Sequence, residues 1–134
     1  MGKMSMTCCP LSANDGDNAK VFKMRRVRAG KDTTCCECRD PIARGTVHEV
    51  ISALWEQSWS TYRTCLICVE IRDHFECEGW LFEHVWEDLQ ENFFPDMKAG
   101  GPCMAGLSPD AKAKLFDRRM AWLLAHGNPM GELP

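Results

Sequence analysis

Two cysteine pairs carry the clearest chemical signal in this sequence. Cys35 and Cys38 form one Cys-x2-Cys pair, and Cys65 and Cys68 form a second pair after 26 intervening residues. Four thiolates complete the tetrahedral coordination that zinc prefers, and the short spacing lets both sulfurs of a pair reach one ion. The pattern predicts a closed, structural Zn²⁺ site, because a full set of protein ligands leaves no position for a reacting water.

The elements that must position these pairs follow the order of a treble-clef zinc fold. The first pair lies in a turn flanked by Pro41 and Gly45. Residues 46–55 and 59–64 have the composition and spacing of a β-hairpin, and the second pair opens a helix. The sequence therefore predicts an α+β fold, with a treble-clef-like zinc core (knuckle, β-hairpin, helix) and two or three additional C-terminal helices.

The domain organisation follows from the same elements. Residues 1–19 read as an irregular leader, and residues 20–134 as a single zinc-stabilised domain. Within that domain we expect a zinc core at 33–79 and a helical extension at 80–127. An edge strand is predicted from Val21 to Arg28, before the zinc core.

Apolar periodicity predicts three helices. The first runs from Cys65 to Glu76, with Gly79 placed to end it. The second has its apolar face from Phe82 to Phe93. The third begins after the N-cap Ser108 and closes at Gly127.

Charge is distributed unevenly along the chain. Eight basic and three acidic residues occur from Lys20 to Arg44, whereas nine acidic residues accompany Arg72 alone from Glu70 to Asp96. The candidate partner-binding residues are a basic arm and an acidic helix face, namely Arg25, Arg26, Arg28, Glu83, Glu87, Asp88 and Glu91. A basic edge strand that discourages edge pairing, and ordinary amphipathicity of the helix, are the alternative interpretations.

Nucleic acid is a second candidate partner. The basic stretch that reaches Lys31 would contact phosphates, and hairpin aromatic residues would supply stacking surfaces. Those aromatic residues are Trp55, Trp59 and Tyr62. The alternative is that they form part of the core over the zinc site.

The remaining cysteines allow a second metal site. The candidate ligands are Cys9, His74, Cys77 and Cys103, which would tie the leader and the Gly-Gly-Pro loop to the helices. The alternative is that these cysteines, and Cys8 beside them, are small buried thiols without a ligand role. Cys36 lies inside the first pair and is a substitute ligand in principle.

Catalysis has one candidate constellation, which is that of a His-Asn-His nuclease. His48 on the hairpin and His74 on the following helix are the best-placed residues for a base and a metal ligand. No asparagine lies between His48 and Cys65, and a solvent-facing strand residue is the ordinary interpretation of His48. The sequence therefore predicts a protein that is not an enzyme, with a degenerate nuclease as the least favoured alternative.

The compartment is predicted from segments that the sequence lacks. The first 18 residues do not have the basic-then-apolar layout of a signal peptide, and no apolar run approaches the ~20 residues of a membrane helix. Nine cysteines, four of them in two Cys-x2-Cys pairs, then indicate metal ligands in a reducing compartment. We expect a cytoplasmic protein.

Several motifs resemble those of small cysteine-rich proteins encoded by bacteriophages and prophages. The similar stretches are Cys8 to Ser12, Cys35 to Cys38, Thr64 to Cys68, Ile71 to Phe75, Trp86 to Leu89 and Ala99 to Met104. The resemblance implies a phage accessory protein in the host bacterial cytoplasm. It would bind a macromolecular host partner stoichiometrically, as an inhibitor of a bacterial defence complex such as a CRISPR effector. A regulatory, nucleic-acid-binding zinc protein is the alternative.

Overall fold

Seven strands and three α-helices make up the regular structure of the computed structural model, which describes residues 10–12, 21–78, 80, 82–97 and 102–126. In chain order the elements are β1 (Leu11–Ser12), β2 (Val21–Arg28), β3 (Thr33–Thr34), β4 (Pro41–Ile42), β5 (Val47–Trp55), β6 (Ser58–Cys65), α1 (Leu66–Phe75), β7 (Glu76–Glu78), α2 (Val85–Asn92) and α3 (Pro109–Ala125). The predicted α+β class is confirmed. Within these residues, no helix combines the length and apolar character that crossing a membrane requires.

The main sheet is antiparallel, with β5 between β2 and β6. β5 is rich in β-branched and apolar residues and is largely buried, which suits the centre of a sheet. A tight turn joins β5 to β6, because Trp55 pairs directly with Ser58 and Glu56 adopts a positive φ of 49°. The predicted hairpin and the predicted edge strand at Val21–Arg28 are both confirmed.

Two smaller strand pairs frame the rest of the fold. The antiparallel pair β3–β4 brackets the first cysteine pair, and β1 runs parallel to β7. Leu11 in β1 is fully buried. The sequence predicted an irregular leader, but this part of it forms a strand. The other leader residues, 1–9 and 13–19, lie outside the described part of the chain.

α1 is shorter than its sequence pattern indicates. The helix ends at Phe75, because the next three residues leave the helical path to pair with β1 as β7. Gly79, the predicted stop, lies outside the described residues. The helix ends because the chain pairs with a strand some 65 positions earlier. Local periodicity cannot reveal such a distant contact.

α2 also starts later than predicted, at Val85. The Phe82 ring stacks on Tyr62, with centroids 4.1 Å apart, and meets Trp55 edge-on. Phe82 therefore belongs to an aromatic cluster on the sheet and not to the apolar face of the helix. Pro95 lies in a 3-10 turn, Phe94–Asp96, that follows the helix.

α3 confirms its predicted start. The Ser108 hydroxyl oxygen accepts a hydrogen bond from the Ala111 N–H at 3.1 Å, which is N-cap geometry. Glu70 of α1 accepts hydrogen bonds from the Ser108 N–H and hydroxyl at 2.6 and 2.7 Å, so the cap also joins α3 to α1. The helix ends at Ala125, and Gly127 lies outside the described residues.

A buried ion pair connects the main sheet to α1. The Arg72 guanidinium donates to both carboxylate oxygens of Glu49, at 2.6 and 3.0 Å, and both side chains are buried. Arg72 also contacts the exposed carboxylate of Asp73 and lies 4.1 Å from the ring centroid of Trp80. The strand and the helix are thereby held in one relative position by a desolvated, bidentate contact.

Candidate metal centre

The four cysteines of the two predicted pairs converge in the structure. The sulfurs of Cys35, Cys38, Cys65 and Cys68 all lie within 4.8 Å of one another, and those of Cys38 and Cys65 are 4.0 Å apart. A tetrahedral ion with Zn–S bonds of about 2.3 Å separates its sulfur ligands by about 3.8 Å. None of the four is in a disulfide. The cluster has the donor set and the dimensions of a metal ion site.

The first pair lies in a tight turn whose backbone amides face the sulfurs. The N–H groups of Glu37 and Cys38 donate to the Cys35 sulfur at 3.4 and 3.5 Å, and the Asp40 N–H donates to the Cys38 sulfur at 3.4 Å. The pair β3–β4 closes this knuckle, and Arg39 within it has a positive φ of 67°. Such donors stabilise negative charge on thiolates, as ligand-supporting contacts do in metal sites.

The second pair is placed by the junction of β6 and α1. Cys65 is the N-cap residue of α1, and Cys68 lies in its first turn, where the positive end of the helix dipole favours a thiolate. The Cys65 N–H donates to the Cys35 sulfur at 3.4 Å. The indole N–H of Trp86, from α2, donates to the buried Cys68 sulfur at 3.3 Å. The sulfurs of the first pair therefore accept from the knuckle and from Cys65, and the Cys68 sulfur of the second pair accepts from α2.

The pKa values of the four thiols separate because the sulfurs hydrogen-bond to one another. Hydrogen bonds from Cys38, Cys65 and Cys68 lower the pKa of Cys35. The contact with Cys35 raises the pKa of Cys38, but the contacts with Cys65 and Cys68 outweigh it and bring that pKa to about 5. The contacts with Cys35 and Cys38, together with burial, raise the pKa values of Cys65 and Cys68. Metal binding to such a cluster releases the protons that its thiols hold.

α3 adds positive charge to the outer side of the knuckle. Lys114 forms an ion pair with Asp40 at 2.8 Å, and Arg118 donates to the carbonyl oxygen of Cys38. Burial lowers the pKa of Lys114, but its contacts with Asp40 and Cys38 prevail and raise it. Four thiolates around a divalent ion would carry excess negative charge, and these cations would offset part of it.

Glu37 links the knuckle to α2, a role that the sequence did not reveal. Its buried carboxylate accepts hydrogen bonds from the Val85 N–H at 3.1 Å and the Glu83 N–H at 2.9 Å. Amides at the start of a helix have no partner within the helix, and a carboxylate is favoured there. Burial raises the pKa of Glu37. The partners lie 46 and 48 residues away, so no local motif marks the contact.

Cys36 is not one of the converging ligands. Its sulfur lies 3.4 Å from the Thr64 hydroxyl oxygen, and burial raises its pKa to about 12. The structure therefore assigns it a buried thiol environment beside the centre, and the prediction of a substitute ligand is not supported by these contacts.

The candidate second metal site is only partly within the described residues. Cys9 and the side chain of Cys77 lie outside them. His74 donates from Nε2 to the carbonyl oxygen of Cys103 at 2.7 Å, so the predicted proximity of these two residues is present. Cys103 itself is disulfide-bonded. A disulfide sulfur carries no thiolate to give to a metal, so the predicted ligand role of Cys103 would require reduction of this bond.

His48 is fully buried, contrary to the expected solvent-facing position. Its Nδ1 lies 3.3 Å from the carbonyl oxygen of Thr46, and its Nε2 lies 3.1 Å from the Arg63 guanidinium. A carbonyl oxygen only accepts, so Nδ1 carries the hydrogen and Nε2 accepts from Arg63. Both ring nitrogens are engaged, which fixes the orientation of Arg63.

The predicted partner-binding residues are mostly exposed. Glu83, Glu87 and Glu91 are exposed and Asp88 is half-buried, and Glu87 pairs with His84 at 2.6 Å. The basic residues Arg25, Arg26 and Arg28 are exposed on β2. Because side chains alternate along a strand, Arg25 points to the opposite face of the sheet from the other two.

Comparison with known proteins finds no match to this chain among protein-family models, curated proteins or solved structures.

Proposed function

We propose that this protein is a non-enzymatic binding module whose core is a treble-clef-like centre with a structural Zn²⁺. The ion would be held by Cys35, Cys38, Cys65 and Cys68. The observation that carries the proposal is the convergence of these four free sulfurs in a largely buried cluster ringed by N–H donors. Four-thiolate tetrahedral sites are typical of structural zinc, and Zn²⁺ has no redox chemistry of its own.

The order of elements around the cluster supports the treble-clef assignment. A knuckle between β3 and β4 supplies one ligand pair, the β5–β6 hairpin follows, and the start of α1 supplies the other pair. α2 and α3 then pack on the centre through Trp86, Glu37 and Lys114. In this arrangement the ion would join the knuckle to the start of α1, and it would make a small core rigid.

The surroundings of the ligands and of the histidines support a binding role and not a catalytic one. A four-cysteine centre has no open coordination position for a substrate or water. His48, the candidate nuclease base, is buried and has both ring nitrogens engaged. A nuclease would need this imidazole within reach of a phosphodiester. We therefore expect no activity in a cleavage assay with divalent metal ions.

Substitution with Co²⁺ tests whether the centre is closed. Reconstitution of the reduced protein with cobalt is expected to give the intense absorption of a tetrahedral four-thiolate site, at one cobalt per chain. Added azide should leave that spectrum unchanged, because no ligand position is open. A spectrum that responds to azide, or one typical of a six-coordinate ion, would contradict the closed structural centre.

A protein partner is a second candidate role, favoured by the exposure of the acidic residues around α2. In this proposal the protein is a phage accessory protein that binds a host protein stoichiometrically and inhibits a bacterial defence complex such as a CRISPR effector. The double substitution Glu87→Lys/Glu91→Lys is then expected to abolish capture of that host protein from a bacterial lysate.

The matched control reverses two exposed acids elsewhere, Glu56→Lys and Asp117→Lys, with the same change in net charge. Capture should survive the control substitutions. Equal loss from both pairs would show dependence on net charge alone and would count against the acidic helix as a docking surface.

A further inference from the structure

One face of the main sheet carries cations and an exposed aromatic ring. The strand register aligns Arg25, Val50 and Arg63 in one row, and Lys23, Ser52 and Thr61 in the next. Trp59 stands opposite Leu54 in the row beyond. Side chains that are directly opposite in a sheet project from the same face. We name this surface the cationic sheet face and define it by Lys23, Arg25, Trp59, Thr61 and Arg63.

Among the described residues, the strand rows of the cationic sheet face bring no acid next to its cations. Lys23 and Arg25 are exposed, and the rows that contain them have no acidic member. Glu49, the acid of β5, projects from the other face, where it is bound to Arg72. Neighbouring strands are about 4.8 Å apart, so the backbones of Arg25 and Arg63 flank a strip roughly 10 Å wide.

A cavity of about 280 Å³ lies beside the cationic sheet face. It is lined by Ala29, Gly30, Lys31, Thr33 and Arg63. Two cations, a hydroxyl group and a glycine backbone form a lining suited to an anionic group. The nearby acid Asp32 has its carboxylate turned to the Arg44 N–H at 2.9 Å.

Arg63 belongs to both the cationic sheet face and the cavity, and a hydrogen bond to His48 holds its guanidinium in place. The buried His48 accepts from its guanidinium at 3.1 Å, and the imidazole is in turn fixed by Thr46. A guanidinium with a fixed orientation loses less freedom when it binds an anion, which favours binding.

Trp59 supplies a different kind of contact. Its side chain is 57% exposed, although tryptophan is among the residues that bury most surface in cores. It lies four residues before Arg63 on β6, which corresponds to roughly 13 Å of strand. An exposed ring at this distance from a cationic cavity is placed to stack on a base while the cavity holds a phosphate.

We propose that the cationic sheet face binds single-stranded nucleic acid, with a phosphate in the cavity at Lys31 and Arg63 and a base stacked on Trp59. Acidic peptides would use the cations but would gain little from the indole ring, and paired bases would not present a free π-face to it. This inference rests on the proposed function in one respect, because the zinc-stabilised fold must be intact.

The test measures fluorescence anisotropy of a labelled twelve-residue oligothymidylate with the full-length, zinc-loaded protein. Four cations on phosphates predict that affinity falls about 50-fold between about 50 and 200 mM salt. The substitution Lys23→Ala/Arg25→Ala is expected to weaken binding roughly tenfold or more and to make the salt dependence shallower. Its matched control is Arg26→Ala/Arg28→Ala, which removes equal charge from the opposite face and should change affinity less than about twofold.

Two further pairs of variants test the ring and the cavity separately. Trp59→Ala should weaken binding about tenfold, whereas Trp59→Phe should retain most of it. Gly30 has open space where a side chain would project, so Gly30→Asp places a carboxylate at the cavity without a clash. That variant should weaken binding, and Gly30→Ser should not.

Three outcomes would overturn the inference. The first is absence of binding at low salt by zinc-replete protein, and the second is an equal loss from the two arginine-containing double variants. The third is equal competition by polyglutamate together with no effect of Trp59→Ala, which would indicate an acidic protein partner. Zinc content and circular dichroism are measured on every sample, so a failed centre is distinguished from a failed binding face.

Discussion

Removal of the metal from the four-cysteine centre is expected to unfold the core of the protein. Structural zinc sites contribute an apparent binding free energy of about 10–16 kcal/mol at neutral pH, which is as large as the total stability of a typical domain, about 5–15 kcal/mol. A high-affinity chelator, or the substitution Cys68→Ser, should therefore abolish the cooperative unfolding transition. Circular dichroism and urea titration of the reduced protein measure the effect.

Cys36→Ala is the matched control for the loss of a cysteine. Its thiol is buried next to the centre but contacts Thr64 and is not one of the four converging sulfurs. This variant should keep its zinc and lose only about 1–2 kcal/mol of stability. If Cys68→Ser and Cys36→Ala have the same small effect, the metal is not what stabilises the fold.

The second large effect is expected from the buried ion pair of Glu49 and Arg72. Glu49→Gln removes the buried charged partner of the guanidinium and leaves only the exposed Asp73, and breaking a buried pair by removing one member costs about 3–5 kcal/mol. The expected result is a much lower urea midpoint with the zinc content unchanged. The measurement is urea unfolding of the zinc-loaded variant.

Asp73→Asn gives the comparison for this pair. Asp73 contacts the same guanidinium, but its side chain is half exposed, so the loss should stay below about 1 kcal/mol. The double substitution Glu49→Leu/Arg72→Met removes both buried charges and should recover much of the stability lost in Glu49→Gln. Equal losses from Asp73→Asn and Glu49→Gln would show that burial of the pair does not control its contribution.

The parts of the fold that the sequence predicted are those with strong local signals. The spacing of Cys35, Cys38, Cys65 and Cys68 identified the atoms that converge in the structure. The composition of the hairpin located β5 and β6, and Ser108 located the start of α3 through its cap. In each case the determining residues lie within a few positions of one another, and for the cysteines this holds within each Cys-x2-Cys pair.

The parts that the sequence did not predict depend on partners distant along the chain. α1 ends early because β7 pairs with β1, and Phe82 leaves the helical pattern because it stacks on Tyr62. In the sequence Glu37 is only one more charged residue near the knuckle, whereas in the structure its carboxylate accepts a hydrogen bond from the start of α2. Periodicity and composition do not report such contacts, since they describe one segment at a time.

The basic arm shows how strand geometry divides a cluster that is continuous in sequence. Arg25 and Arg26 are adjacent, but they project from opposite faces of the sheet. The residues that complete the cationic sheet face come from other segments, Trp59 and Arg63 from β6 and Lys31 from the loop after β2. Charge counting along the chain therefore located a basic region without indicating which face carries it.

The most direct test of the central claim is native mass spectrometry of protein purified under reducing conditions without added metal. A structural four-cysteine centre predicts one zinc ion per chain, lost together with the folded charge-state distribution when a chelator is added. A folded protein without bound metal, or one that keeps its folded distribution after complete removal of zinc, would contradict the claim.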